Sequence, residues 1–373
     1  MSSLTLLKNA YVYAPKDLGI KDILFGGSQI LALDDKIDLS FKGLKVIDLA
    51  GSVVLPGLID GHVHVIGGGG EDGLSSKVPP IKEVNITNAG VTTLVGVLGT
   101  DGYTRTVEEL VSKTKALNEY GLSAYCLTGS YQVPTVTLTG DVGKDIIFIK
   151  EVLGVKIAIS DHRCSLPTVA ELTRLATICR MAGLIGKKCG ILHLHVGRAQ
   201  SGIEDLFKIV KDTPLPPSIF YPTHMSGHLE QSKEWLKLGG HIDLTCHTDT
   251  VEAVNALMGI NDTELTLSTD SNGSFPKWNE KNEIIGMGAG SISTLYKTLK
   301  ELIDQGFPPS FVYSLATSNP AKALKLTSKG QLKPGFDADL VVLKEGQIDK
   351  VFAKGVLMKD GDYVKKGMYD DIV

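Results

Sequence analysis

Hydrophobic and polar positions divide the chain into two kinds of region. Near both ends, short runs alternate apolar and polar residues between glycine turns, as in LTLLKNAYVYA near the start and ADLVVLKEG near the end. Gly26-Gly27 lies between two apolar runs, which is typical of a hairpin turn. Both ends are therefore predicted to be β-rich, and we expect residues 1–56 and 329–373 to form one small β-sandwich domain together.

The middle of the chain, residues 57–328, alternates strand-like and helix-like patterns. Amphipathic stretches at 106–121 and 167–186 begin with a Thr-x-x-Glu pattern that predicts a helix start. Apolar runs bounded by turn residues predict eight strands, at 53–65, 92–99, 122–131, 155–161, 190–197, 218–226, 242–248 and 265–273.

Eight strand–helix alternations predict an α/β fold, a (β/α)8 TIM barrel with the small β-sandwich domain attached. The alternative is a doubly wound open sheet, which usually has fewer strands and a phosphate-binding glycine turn after the first one. The glycine run Gly67–Gly70 lacks the G-x-G-x-x-G spacing of such a turn, so the pattern favours the barrel.

Composition narrows the possible partners. The chain has 373 residues, 43% hydrophobic and 21% charged, with a net charge of −4, so we expect no nucleic acid and no membrane surface as a partner. No run of about 20 apolar residues and no signal-peptide pattern occurs. The five cysteines are odd in number and form no C-x-x-C pair, which argues against a disulfide framework and a thiolate zinc site. A reducing cytoplasm is the expected location.

Metal-capable side chains are concentrated at the predicted strand ends, where barrel enzymes carry their chemistry. Strand one ends in His62-Val63-His64, and residues i and i+2 of a strand face the same way, so both imidazoles can face one ion. Each such residue alone could be structural, but their common position favours a metal centre. Imidazole and carboxylate ligands suit zinc, manganese, iron or cobalt. The candidates are His62, His64, Lys156, His193, His195, His224 and Asp270.

Lys156 admits two interpretations. Its amine is a poor neighbour for clustered cations, but reaction with CO₂ would give an anionic carbamate whose two oxygens can bridge two metals. The apolar neighbours Val155 and Ile157 favour the neutral amine that this reaction needs. Alternatively, Lys156 neutralises the nearby Asp161.

Several of these segments resemble the amidohydrolase superfamily. LPGLIDGHVH resembles its strand-one signature, and SNPAKALKL with KGQLKPGFDADLVVL resembles the passage from the last barrel helix into a C-terminal β domain. HVHVIGGGGEDG, GVKIAISDHR, YPTH and LSTDSNGS are similar to the isoaspartyl dipeptidase family within it, and the likeness covers essentially the whole chain. The resemblance implies binuclear metal-dependent hydrolysis of the isopeptide amide bond of β-aspartyl (isoaspartyl) dipeptides, with a bridging hydroxide as nucleophile.

The resemblance also implies the ligands and cofactors. Two divalent metal ions per subunit are expected, with zinc as the expected element, and a homo-oligomer such as an octamer. His195 is preferred to His193 because it lies nearer the strand's exit into Gly197. Asp270 would act as general base and acid, and Tyr131 would donate to the oxyanion. The implied metal ligands are His62, His64 and Asp270 for one metal, His195 and His224 for the second, and carboxylated Lys156 between them.

The implied substrate contacts suit a zwitterion, since Glu71 can pair with an ammonium group and Arg163 can bind a carboxylate bidentately. One departure matters: the arginine that the family places soon after His224 is absent, and Gly227 or His228 stands there. Losing a charge-assisted bond costs about 1.5–3 kcal/mol, so the substrate is held more weakly or differs unless His228, Arg198 or a loop residue compensates. The implied substrate contacts are Gly69, Glu71, Thr100, Tyr131, Arg163 and Ser274.

Two other functions remain open. One is a different amidohydrolase, either a cyclic amidase of the dihydropyrimidinase type or an N-acyl amino acid hydrolase, although Glu71 and Arg163 argue against a neutral cyclic imide. The other is a non-catalytic barrel homologue, which the presence of all six candidate ligands disfavours.

Overall fold

The structure of the chain, a computed structural model, describes residues 4–278 and 284–368. The strands of this part are β1 (Thr5–Tyr13), β2 (Asp17–Gly26), β3 (Gln29–Asp34), β4 (Lys45–Asp48), β5 (Val53–Pro56), β6 (Leu58–Val63), β7 (Val91–Gly96), β8 (Ser123–Thr128), β9 (Val152–Ile159), β10 (Ile191–Val196), β11 (Phe220–Thr223), β12 (Ile242–Thr245), β13 (Leu265–Ser268), β14 (Ser274–Trp278), β15 (Ile284–Ala289), β16 (Leu340–Lys344), β17 (Gln347–Ala353), β18 (Val356–Asp360) and β19 (Tyr363–Val364). The helices are α1 (Glu83–Asn88), α2 (Val107–Tyr120), α3 (Val142–Phe148), α4 (Val169–Gly186), α5 (Glu204–Asp212), α6 (Leu229–Lys237), α7 (Thr250–Leu257), α8 (Thr294–Asp304), α9 (Pro309–Ser314) and α10 (Ser318–Ala323).

The terminal strands form one mixed sheet from both ends of the chain. Its order is β19-β18-β17-β16-β5-β1-β2-β3, with β4 beside β1. The sheet curls over a core of its own, because the rings of Phe25 on β2 and Phe352 on β17 lie 5.2 Å apart although three strands separate β2 from β17. The β2–β3 hairpin turns at Gly27, whose φ is 61°, as expected.

The prediction that both termini contribute to one β sheet is therefore confirmed. The division of the chain at residues 56/57 and 328/329 stays a prediction. Residues 1–3 and 369–373 of the predicted terminal domain lie outside the described residues.

The eight strands β6 to β13 form the barrel. Six of them pair in parallel in the order β11-β10-β9-β8-β7-β6, and β12 pairs in parallel with β13. The first strand meets the last, since Val63 bridges Ser271 and His64 N–H donates to Ser271 O at 2.8 Å. A Thr223–Asp243 side-chain bond of 2.7 Å links β11 to β12. The predicted barrel is confirmed over the open sheet, because an open sheet does not bring its first and last strands together.

The two predicted helix starts are found where the sequence places them. Thr106 caps α2 by accepting from the Glu109 N–H at 3.1 Å, and Gly121 ends that helix with a φ of 121°. Thr168 caps α4, and here both halves of the capping box with Glu171 form. None of the described helices is both long and apolar enough to cross a membrane.

Candidate active site

Six side chains from five strand ends meet in the mouth of the barrel. We call this set the donor cluster: His62, His64, Lys156, His195, His224 and Asp270. Asp270 Oδ1 lies 2.9 Å from His64 Nε2 and 3.3 Å from His62 Nε2. The ring centroid of His224 lies 5.3 Å from that of His62 and 4.4 Å from that of His195. One ligand atom each from His62, His224 and Asp270 lie within 4.8 Å of one another.

The donor cluster fits a divalent cation. Three of its buried polar atoms have no hydrogen-bond partner: His64 Nδ1, His224 Nε2 and Asp270 Oδ1, the last despite its closeness to His64. Burial holds the pKa of His62 well below its ordinary value and lowers the pKa of His224 to about 3, so both imidazoles are neutral and keep a lone pair. Burial alone would raise the pKa of Asp270, but the neighbouring His64 holds it below its ordinary value. Neutral imidazoles beside a carboxylate are the donors that zinc-like ions bind.

Lys156 is fully buried beside His62. Its Nζ donates to the Leu98 carbonyl at 2.7 Å and lies 3.5 Å from His62 Nε2, and burial lowers its pKa to about 7. The Asp161 carboxylate pairs instead with Arg163 at 2.8 Å and with His195 at 3.0 Å. The structure therefore gives no support to the alternative in which Lys156 neutralises Asp161.

The two histidines of β10 have different neighbours. His195 shares a hydrogen bond of 2.8 Å with the Tyr131 hydroxyl through Nδ1, and its Nε2 lies 3.0 Å from Asp161 Oδ2. His193 lies behind His62, with its Nε2 3.0 Å from His62 Nδ1 and its ring stacked on Tyr221. Both imidazoles thus lie beside other residues of the donor cluster, and the choice of His195 rather than His193 as the ligand stays a prediction.

The predicted substrate contacts surround the cluster, on loops and at the first residue of β14. We call Gly69, Glu71, Thr100, Arg163 and Ser274 the rim. Glu71 joins three of them: its carboxylate accepts from Arg163 Nη1 at 3.4 Å, from Thr100 Oγ1 at 3.3 Å and from the Ser274 hydroxyl. Gly69 has a φ of 73°, and a Cβ there would stand 2.5 Å from the Ser76 carbonyl oxygen, so the loop requires glycine at this position.

Arg163 is oriented by Asp161. Its Nε and Nη2 donate to the two Asp161 oxygens at 2.9 and 2.8 Å, and its guanidinium lies 5.5 Å from the Tyr131 ring centroid. Asp161 thus holds two of the guanidinium donors that the sequence argument assigned to a substrate carboxylate, and Nη1 is directed to Glu71. Tyr131 is buried, and burial raises the pKa of its hydroxyl well above the ordinary value, so the hydroxyl keeps its proton.

There is free space at Gly227, where the family places an arginine. A Cβ placed on Gly227 would meet no heavy atom within 4 Å. His228 Nε2 donates to the Gly197 carbonyl at 2.9 Å, so this side chain is engaged with the backbone. The structure therefore does not support compensation by His228.

Sequence reasoning missed two buried aspartates that hold the strand ends together. Asp60 Oδ1 accepts from the N–H groups of His62 and Thr269, each at 3.2 Å, and its Oδ2 accepts from the Thr269 hydroxyl at 2.6 Å. Asp60 thereby ties the strand that carries His62 to the segment that carries Asp270. Asp243 accepts from three hydroxyls on β11 and β13: Thr223, Thr266 and Ser268, at 2.6–2.7 Å. The signal that could have found both is a carboxylate inside an otherwise apolar strand.

Arg105 was also missed, and it supports the glycine loop. It is buried and donates to the carbonyls of Ile66, Gly68 and Val78, the last two at 3.1 and 2.8 Å. These bonds fix the backbone on which Gly69 and Glu71 lie. No local pattern marks this arginine in the sequence.

Comparisons with known proteins agree with this architecture. The model of the Amidohydrolase family matches residues 53–358. The crystal structure of beta-aspartyl dipeptidase from Fervidobacterium islandicum AW-1 in complex with beta-Asp-Leu dipeptide is 38% identical, covers 99% of this chain and 100% of that chain, and has a TM-score of 0.94. N-acetylglucosamine-6-phosphate deacetylase from Pasteurella multocida, 15% identical over 96% of this chain and 100% of that chain with a TM-score of 0.66, shares the fold. Adenine deaminase from Bacillus velezensis is 25% identical over 90% of this chain but 53% of its own length, so the chain spans about half the length of the curated relatives it matches.

Proposed function

This chain belongs to the amidohydrolase family, and we propose that it is a binuclear metal-dependent hydrolase of the isopeptide amide bond in β-aspartyl (isoaspartyl) dipeptides. One observation carries the choice of substrate: a carboxylate and a guanidinium, those of Glu71 and Arg163, stand 3.4 Å apart at the rim of the donor cluster. A β-aspartyl dipeptide offers an ammonium group and two carboxylates for such a rim. The relative from Fervidobacterium islandicum was crystallised with beta-Asp-Leu, which supports the same substrate class.

The rim residues bind and orient this substrate. Glu71 receives the substrate ammonium, Arg163 Nη1 binds a carboxylate, and Gly69 offers its backbone N–H on the glycine loop. Thr100 and Ser274 already donate to Glu71 and keep its carboxylate in place. Charge-assisted bonds of this kind contribute about 1.5–3 kcal/mol each.

The donor cluster holds two divalent cations, with zinc as the expected element. His62, His64 and Asp270 would be the donors for one cation and His195 and His224 for the other, and Lys156, once carboxylated by CO₂, would add its carbamate to the donor set. The buried amine of Lys156, with its pKa lowered to about 7, has the neutral form that adds CO₂. When bound, such cations lower the pKa of water and polarise a carbonyl oxygen.

Two side chains of the chain move or hold protons during the reaction. The Asp270 carboxylate, anionic in the cluster, accepts the proton of the attacking water and delivers it to the departing amine. The Tyr131 hydroxyl keeps its proton, because its pKa is raised, and donates to the oxyanion that forms on the scissile carbonyl. Arg163 lies beside the Tyr131 ring and restricts its position.

The cysteines and the resemblance bear on where this activity takes place and in what assembly. All five cysteines carry free thiols, which supports the reducing cytoplasm that the sequence predicts. The resemblance to isoaspartyl dipeptidases implies a homo-oligomer such as an octamer, and sedimentation of the purified protein would measure it.

A substrate panel tests the proposal. The protein is loaded with zinc in bicarbonate buffer and offered β-Asp-Leu, α-Asp-Leu, dihydrouracil, N-acetyl amino acids and adenine. We expect release of aspartate and leucine from β-Asp-Leu, with little turnover of the others. Faster turnover of dihydrouracil or of N-acetyl amino acids would contradict the dipeptide as substrate and indicate a cyclic amidase or an N-acyl amino acid hydrolase instead. Less than one equivalent of metal per chain would favour a non-catalytic barrel.

A further inference from the structure

His193 is a buried histidine that the proposed mechanism does not use. Its side chain is 1% exposed, its Nε2 lies 3.0 Å from His62 Nδ1, and its Nδ1 is buried without a hydrogen-bond partner. Its ring stacks on Tyr221 at a centroid distance of 4.9 Å. Burying a polar nitrogen without a partner is unfavourable, so the placement of this imidazole calls for a compensating role.

The two nitrogens of His62 face different surroundings. Nε2 points into the donor cluster, 3.3 Å from Asp270 Oδ1 and 3.5 Å from Lys156 Nζ. Nδ1 points away from the cluster to His193 Nε2. A neutral imidazole has one N–H and one lone pair, so a lone pair on Nε2 requires the proton to be on Nδ1. That proton needs an acceptor, and His193 Nε2 occupies the acceptor's position.

We propose that His193 is a positioning residue, whose Nε2 accepts the Nδ1–H of His62 and thereby keeps the lone pair of His62 Nε2 directed at the cation. The inference rests on the proposed metal centre. Metal-ligating histidines generally donate their second N–H to a carboxylate, a carbonyl or water, and these partners orient the ring. A neutral imidazole serves this purpose behind His62 without adding a further buried carboxylate to those of Asp60 and Asp243.

The barrel offers a matched control in His241. This histidine is 2% exposed, and its ring packs against Tyr221 at a centroid distance of 4.1 Å. Its Nε2 bonds to the Thr266 hydroxyl at 3.0 Å, so this hydrogen bond leads to the hydroxyls around Asp243 rather than to the donor cluster. Removing His241 perturbs the same tyrosine and the same buried layer but leaves His62 with its acceptor.

The experiment measures zinc affinity by competition with a chromophoric chelator in bicarbonate buffer. His193→Phe keeps a ring on Tyr221 but removes the acceptor, and we expect it to weaken zinc binding by about 10- to 100-fold. His193→Gln keeps an acceptor oxygen near the position of Nε2, and we expect it to restore most of the affinity. His241→Phe should bind zinc as the wild type does. Circular dichroism confirms folding, and His193→Met replaces the phenylalanine variant if that variant does not fold.

Two outcomes would overturn the inference. One is wild-type zinc affinity in the folded variant that lacks the acceptor. The other is an equal loss in His193→Gln or in His241→Phe, because either result would mean that packing rather than hydrogen bonding matters. If the wild-type protein itself binds no zinc, the proposed metal centre is wrong. This result can be told apart from the two outcomes above, because they compare variants with a wild type that does bind zinc.

Discussion

The donor cluster lies on strand ends that the buried carboxylates of Asp60 and Asp243 hold together through hydrogen bonds. The rim lies on loops and at the first residue of β14, and exposed hydrogen bonds of Glu71 join three of its other members. His62 and Lys156 are fully buried, while the side chain of Arg163 remains 32% exposed. The two regions are adjacent in space but are stabilised by different interactions.

This difference indicates that the donor cluster and the rim have separate roles, the first in metal binding and catalysis and the second in substrate binding. A side chain of the buried cluster is a donor to the metal or moves a proton, so changes there should affect metal binding or turnover, and changes to the buried groups that support it should affect folding. A side chain of the rim faces water, so changes there should affect substrate binding while the fold stays intact. Substitutions in the two regions should therefore differ in their effects on turnover, on stability and on KM.

The largest effect is expected for Asp270→Asn in the donor cluster. Asparagine fits the left-handed backbone at this position, where φ is 51°, but it cannot accept the proton of the attacking water. We expect kcat for β-Asp-Leu to fall by about 10²- to 10⁴-fold, with most of the metal retained. Steady-state kinetics and metal analysis of the purified variant give both values. Asp72→Asn, on the exposed part of the glycine loop, is the control, and wild-type turnover in Asp270→Asn would refute the assigned role.

The next largest effect is expected below the cluster, for Asp60→Ala. This change leaves the His62 N–H, the Thr269 N–H and the Thr269 hydroxyl without their acceptor in a buried place. We expect the free energy of unfolding to fall by about 3 kcal/mol, measured by urea denaturation, since each buried group left unpaired costs about 1–3 kcal/mol.

Two controls sharpen this result. Asp60→Asn keeps an acceptor oxygen and should recover much of the stability. Thr100→Ala at the rim should change the free energy of unfolding by less than about 0.5 kcal/mol. Equal stability of Asp60→Ala and the wild type would show that the cluster does not depend on this aspartate.

The sequence predicted the residues of the donor cluster better than the buried residues that bond to them. The period of two in a strand and the geometry of a barrel were enough to bring His62, His64, His224 and Asp270 to one place. The roles of Asp60 and His193 could not be predicted in the same way, because they depend on which atom of a neighbouring strand lies within hydrogen-bond distance. That distance is set by barrel closure and side-chain rotamers, which leave no periodic trace in the sequence.

The rim was predicted by resemblance alone, since loops have no repeating pattern of apolar positions. The sequence shows Gly69 only as part of a glycine run without the spacing of a phosphate-binding turn, while the structure shows that a Cβ there would collide with the Ser76 carbonyl. For Arg163 the role of substrate contact stays a prediction, and the competition for its donors was not predicted. Asp161, two residues earlier, takes Nε and Nη2, and a local turn of this kind depends on the backbone path.

A smaller effect is expected at the rim for Glu71→Gln. The amide has nearly the same shape and can still bond to Thr100 and Ser274, but it cannot form an ion pair with the substrate ammonium. We expect KM for β-Asp-Leu to rise by about tenfold or more, with a smaller change in kcat and an unchanged melting temperature. N-acetyl-β-Asp-Leu, which lacks the ammonium, is the matched substrate. If the wild type and Glu71→Gln differ as much on that substrate, Glu71 does not recognise the ammonium.

The smallest effect is expected for Gly227→Arg, where the family arginine is absent. The open space around a Cβ at this position predicts no loss of stability. A new charge-assisted bond to the leaving residue's carboxylate would contribute about 1.5–3 kcal/mol, but fixing a long side chain costs about 1.5–2 kcal/mol. The net gain should therefore be near 0.5 kcal/mol, or about a twofold lower KM for β-Asp-Leu at unchanged kcat. Gly227→Gln offers N–H donors without the charge and should give no gain; an equal gain from glutamine would mean that the positive charge is not what improves binding.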